Sequence, residues 1–381
     1  MRPDRSEKRP REGTSAIAQH AGSTSDVALT LHIGTGKTGT SSLQNFLARN
    51  RARLAESGWL YPRSLGRTRH VRFGLWTRSD DDLAAAFREG RPGTGRFGDP
   101  AELRREVPAR LLAEVRRTAL PRVLISDEAL YAAATPSLER LRRFINEHAS
   151  QVRVICYLRR QDDLLVSHYQ QVVKVRATRT LAQRVAEKDL SPTYDYYARL
   201  RSWGEVIAPD ELIVRRFEPA RFRHDSLYDD FVDAAGLEIP TTDRPERERN
   251  ESLDAEAVEF LRLLNLYRVE HPEESDLPAN RDLVPQLTRL STGPILTLPD
   301  DTLDQFMEQW ADSNERVARE LLGEPSGGLF STERKTSGTT TDQRLDPARL
   351  DRYLEALEAL PARIQSPLRR IAEREADRQT M

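Results

Sequence analysis

Apolar residues crowd positions 27–33, VALTLHI, where Thr30 and His32 are the only polar members. So continuous a run suits a strand buried on both faces of a parallel sheet. A polar stretch follows, GTGKTGT at 34–40. Apolar residues then return at helical spacing, at Leu43, Phe46, Leu47 and Leu54. The alternation recurs down the chain. A helix over 101–118 precedes a strand at 123–127, VLISD, and a helix over 137–149 turns Leu138, Leu141, Phe144 and Ile145 to one side. The run VRVICYL at 152–158 is a third strand, and a helix opens after it at Gln161-Asp162-Asp163, acidic where a helix start favours it. A helix over 194–207, a strand at 212–217 and a helix over 226–235 continue the order, with further helices at 254–268 and 302–322. Strands alternating with helices predict an α/β fold: a three-layer arrangement, a parallel sheet flanked by helices.

The less patterned stretches set the expected boundaries. Residues 1–26 mix both charges with Ser, Thr and Gly and are expected to be disordered. The α/β domain is expected over 27–330. Inside it, 63–98 is rich in Arg, Gly and Asp, with one short helix at 82–88; so long an insertion reads as a substrate-side element. Residues 331–346 read as a polar linker, and 347–381 as a helical tail carried by Leu350, Tyr353, Leu354 and Leu357.

Composition narrows the function. Of 381 residues, 31% are charged, yet the formal net charge is −1, which argues against a general nucleic-acid or membrane-surface binder. Cys156 is the only cysteine, so no internal disulfide forms and a reducing, cytoplasmic setting is the expectation. The seven histidines are scattered, without metal-ligand spacing, and no metal is expected. No apolar stretch is long enough for a membrane span, and the charged first residues do not resemble a secretory leader. Lysine occurs only at 8, 37, 174, 188 and 335, and one of these five stands in the Gly-rich loop.

In a parallel sheet, ligands bind beyond the carboxyl ends of the strands. Lys37, Glu128 and Arg159 each follow a different predicted strand, which brings all three to one edge. Strand, Gly-rich turn and helix together aim main-chain N–H groups at an anion. A Walker A loop needs lysine straight after the last glycine. Here Lys37 precedes Gly39, so that spacing fails.

The order Lys37-Thr38-Gly39-Thr40-Ser41 instead resembles the 5′-phosphosulfate loop of the sulfotransferase family, whose sulfuryl donor is 3′-phosphoadenosine 5′-phosphosulfate (PAPS; product PAP). A second stretch, VICYLRRQDDLLVSHYQQ, resembles that family's strand ending on arginine and helix bearing a serine; the pair holds the donor's 3′-phosphate. YDYYARLRSWGEVI with ELIVRRFEP, LYDDFVDAAGL, and the segments around 250–253 and 313–315 continue the likeness. The resemblance implies a P-loop-like architecture, with Thr35, Gly36, Lys37, Thr38, Gly39, Thr40, Ser41, Arg159 and Ser167 at the donor and no metal. Lys37 would act on the leaving group, and Glu128 or His70 would be the base. The family's C-terminal Arg-Lys-Gly motif is missing. The acceptor — a small molecule, glycan or lipid — and the oligomeric state stay open. The rivals are a P-loop ATPase or kinase, since VLISDE also has the Walker B form, and a fold that binds a nucleotide without turnover.

Overall fold

The structure, a computed structural model, describes residues 14–16, 27–187, 189–242 and 252–378. Five parallel strands form the sheet: β2 (Ala28–His32), β3 (Trp59–Leu60), β4 (Arg122–Ser126), β5 (Gln151–Leu158) and β6 (Glu211–Arg216). A three-residue strand, β1 (Thr14–Ala16), adds antiparallel to β6, and the order across the sheet is β1-β6-β5-β2-β4-β3. The expected α/β class is therefore the observed one. The rest of the 1–26 expectation, and residues 250 and 251 of the likeness, lie outside the described residues.

β2 is central. Thr30 pairs in register with Leu124 on one side and Arg153 on the other. Five consecutive residues of β5, Val154 to Leu158, are fully buried. Neighbouring side chains of a strand point to opposite faces, so both faces are covered. On one face, Leu124, Ile155, Tyr157 and Ile213 pack with Leu43, Phe46 and Leu47 of the helix Thr40–Arg49 and with Phe231 of the helix Leu227–Ala235. Tyr157 also donates to Asp230, at 2.6 Å, tying the latter helix to the sheet.

The chain divides into two compact units. One comprises Met1–Arg159, Ser191–Glu248 and Ala311–Thr332; the other comprises Arg160–Leu190, Arg249–Trp310 and Glu333–Met381. The first contains the sheet. The second is helical, built on Gln161–Val175, Ala255–Glu270 and Gln365–Arg378. Within it the expected linker is held down: the Lys335 N–H donates to Asp163 at 3.0 Å, Gln343 donates to Glu259 at 3.0 Å, and Leu345 is buried. The C-terminal residues also pack back. Tyr353 stacks on Phe260 with centroids 5.1 Å apart, and buried Arg262 pairs with Glu259 at 2.6 Å and Glu375 at 2.9 Å.

A helix that periodicity did not announce, Val71–Thr77, lies in the Arg-rich insertion. Its Gly74 decides how closely it packs: a Cβ there would clash with Asp127 Oδ2, so glycine lets the helix backbone close onto the residue that follows β4.

Candidate active site

Lys37, Glu128 and Arg159 follow β2, β4 and β5. These are three adjacent parallel strands, so the three residues share the carboxyl edge of the sheet. The loop 33–39 is braced from below. The Thr35 N–H and Oγ1 both donate to the Tyr157 carbonyl, at 3.1 and 3.0 Å, and Thr38 Oγ1 donates to the Thr35 carbonyl at 2.7 Å. These two buried hydroxyls shape the loop from inside. Gly34, Lys37 and Gly39 all have positive φ, at 38°, 66° and 72°. At Gly39 a Cβ would also lie 2.4 Å from Leu227 Cδ2, so glycine is required there. A Cβ on Gly36 would meet nothing within 4 Å, which leaves open space over the loop.

The helix Thr40–Arg49 starts from Gly39 with no side-chain cap and no carboxylate in its first turn. Its leading N–H groups and the positive end of its dipole are left for an outside acceptor. Ser41 is exposed and Thr40 buried. Arg159 Nη1 donates to the Lys37 carbonyl at 3.0 Å, which fixes the loop's apex to the end of β5. Lys37 is exposed as a residue, yet protein packed around its side chain, and then the Arg159 charge, lower the pKa of its ammonium. This donor set, two cations beside uncapped helix amides with open space at Gly36, fits a phosphate or sulfate group. Ser167 lies in the second unit, half-buried on the helix Gln161–Val175.

Beside the loop is a polar network that the sequence did not announce. Gln44, buried on the loop's own helix, donates through Nε2 to Glu128 Oε2 at 3.0 Å and to Ser126 Oγ at 3.3 Å. Arg69 Nη1 meets Glu128 Oε1 at 2.8 Å, and Arg69 Nη2 meets Asp127 Oδ1 at 2.7 Å. Burial alone would lower the Arg69 pKa, but the Asp127 and Glu128 charges hold it above the usual range. The Glu128 side chain is 23% exposed and that of Asp127 1%, so of the two carboxylates only Glu128 can be reached from outside. Burial pushes Asp127 up to about 6 despite Arg69, and its Oδ2 has no hydrogen-bond partner.

His70 is fully buried. Its Nδ1 accepts from the Ser126 N–H at 3.0 Å, and its Nε2 stands 3.0 Å from the Pro62 carbonyl, which makes Nε2 the protonated nitrogen. Neither nitrogen has a lone pair to spare for an acceptor, and burial drives its pKa down to about 3. The residue expected near the acceptor in a surface insertion instead joins that insertion to β4. His32 is also buried, with Nδ1 2.9 Å from Ser126 Oγ and a pKa near 3 from burial.

These groups set an acid limit. The two rings have folded pKa values near 3 against 6.5, so below pH 6.5 the unfolded chain binds more protons and stability falls with pH. Asp127, raised from 3.8 to about 6, works in the opposite sense below pH 6. The net expectation is a loss of roughly 2–3 kcal/mol between pH 7 and pH 5. Urea titrations at the two pH values check it, and equal stabilities would mean that the rings are charged in the folded chain.

Among the described residues, no group of three or more His, Cys, Asp or Glu is arranged to hold a metal ion. Among the same residues, no helix is long and apolar enough to cross a membrane.

No family model matches the chain. An uncharacterized protein of Archaeoglobus fulgidus is 29% identical over 214 residues, 55% of this chain and 56% of that relative. The chain thus spans about half the length of the curated relative it matches. A sulfotransferase from Alicyclobacillus acidocaldarius is similar in structure, with a TM-score of 0.39 and 17% identity over 66% of this chain and 98% of that one.

Proposed function

We propose that the protein is a sulfotransferase that uses PAPS and acts on a hydroxyl or amine acceptor. The observation that carries the reading is the joining of an anion-binding loop to a reachable carboxylate: Gln44, on the helix that follows Lys37, donates to Glu128. When bound, the donor supplies the sulfuryl group. The amides of residues 38–41 and the helix N-terminus hold the 5′-phosphate oxygens. The Lys37 ammonium offsets charge on the departing oxygen, a task suited to a compact, mobile cation. Glu128 takes the acceptor's proton, with Arg69 on Oε1 and Gln44 on Oε2 fixing the carboxylate plane. His70, with both ring nitrogens engaged, is given a structural role.

Arg159, at the end of β5, is proposed for the 3′-phosphate. ATP lacks a phosphate at that position, so this residue separates the reading from an ATPase. Arg159→Ala is expected to weaken PAP by about 30-fold or more and adenosine 5′-phosphosulfate little. Calorimetric titration of both ligands, without magnesium, measures it. Equal weakening would remove Arg159 from the 3′-phosphate; failure of the unaltered protein to bind PAP would end the sulfotransferase reading.

A further inference from the structure

Between residues 57 and 79 the chain has five arginines and no aspartate or glutamate. Two of the five, Arg69 and Arg78, bear on the end of β4. Arg69 is spent on Asp127 and Glu128. Arg78 is half-buried, and its guanidinium makes no hydrogen bond or ion pair among the described residues.

Its position is nevertheless fixed. The Arg78 carbonyl accepts from Arg104 Nη2 and Arg140 Nη1, each at 2.6 Å. The same two guanidiniums hold Asp80, at 2.7 and 3.3 Å. Asp82 accepts from Ser79 Oγ at 2.7 Å, and Glu89 pairs with Arg91 at 2.6 Å. Asp80 and Glu89 are thus occupied elsewhere; Asp82 bears on Arg78 by its charge without bonding to it. Gly74 presses directly on Asp127, and Arg78 caps the end of the same helix four residues later, its N–H donating to the Leu75 carbonyl. Burial, and then the Arg91 and Arg69 charges, lower the Arg78 pKa, while Asp82 and then Asp127 act the other way. A half-buried cation beside a like charge gains from an arriving anion.

We propose that Arg78 reads an anionic group on the acceptor: the molecule that offers its hydroxyl or amine to Glu128 carries a carboxylate or sulfate that pairs with Arg78. The proposal rests on the assignment of Glu128 as the base. It narrows the acceptor to an acidic one, such as a uronic acid or a sulfated sugar.

The test compares 4-nitrophenyl β-glucoside with the matching glucuronide and the matching 6-sulfate, titrated into the protein with and without PAP. The two acidic probes are expected to bind at least about tenfold more tightly than the glucoside. The difference between them tells which anion the site takes. Arg78→Gln is expected to erase the advantage, and Arg78→Lys to keep part of it. The advantage should also shrink as salt is raised, a readout that stands if Arg78→Gln does not fold. Equal binding of all three probes, no binding by any, persistence of the advantage in Arg78→Gln, or indifference to salt overturns the proposal. Failure of PAP to bind would instead strike the sulfotransferase reading, and the probe comparison without PAP still judges Arg78.

Discussion

Lys37→Ala is expected to lower sulfuryl transfer by about 10²–10³-fold while the protein still binds PAP. The lysine stands at the apex of a loop whose shape does not depend on its side chain. Thr35 and Thr38 brace the loop from beneath, and Arg159 holds the Lys37 carbonyl. Lys37 has φ 66°, a conformation that alanine finds as costly as lysine does, so the substitution is neutral for the backbone. What it removes is the one ammonium on the loop. If charge develops on the departing oxygen, the loss falls on the transition state more than on the ground state, and kcat drops with little change in PAP affinity. Single-turnover transfer with labelled PAPS and calorimetry with PAP separate the two quantities. Turnover close to that of the unaltered protein would remove Lys37 from the leaving-group role.

Glu128→Gln is expected to cost about 10²–10⁴-fold in rate with the fold intact. The amide keeps an oxygen to accept from Gln44, and Arg69 keeps Asp127. Size and most of the network survive, and the proton acceptor is lost. His70→Ala should behave differently. It takes the acceptor away from the buried Ser126 N–H and leaves a cavity between the insertion and β4. Its first effect is on stability, by about 2–4 kcal/mol, through an unsatisfied buried donor and lost packing. Urea unfolding and rate measurements on the two variants give the comparison. A stable His70→Ala protein with a larger rate loss than Glu128→Gln would return the base to His70.

Much of the architecture is legible in the chain's own pattern of apolar and polar residues. The runs at 27–33 and 152–158 suit strands of a sheet covered on both faces because they are almost continuously apolar, and 212–217 opens on the apolar triplet Leu212-Ile213-Val214. The observed β2, β5 and β6 agree with them to within a residue at either end. Parallel order follows from the intervening helices, and the carboxyl-edge rule then brings Lys37, Glu128 and Arg159 together.

Tertiary structure alone decided what surrounds those residues. Gln44 looks like one polar position on a helix, and Arg69 like one arginine among many. Their carboxylate partner lies 84 residues beyond the first, and the neighbouring Asp127 58 residues beyond the second. The hydroxyls of Thr35 and Thr38, counted in sequence as ligand donors, turn inward because the main chain beneath them needs donors first. His70 passes from candidate base to buried brace because the Ser126 N–H, 56 residues away, claims its lone pair. The division into two units is likewise invisible locally, since each is assembled from three separate stretches of chain. Periodicity reports which side of an element is buried; it carries no record of which distant polar group will be waiting there, and a buried polar group takes its role from that partner.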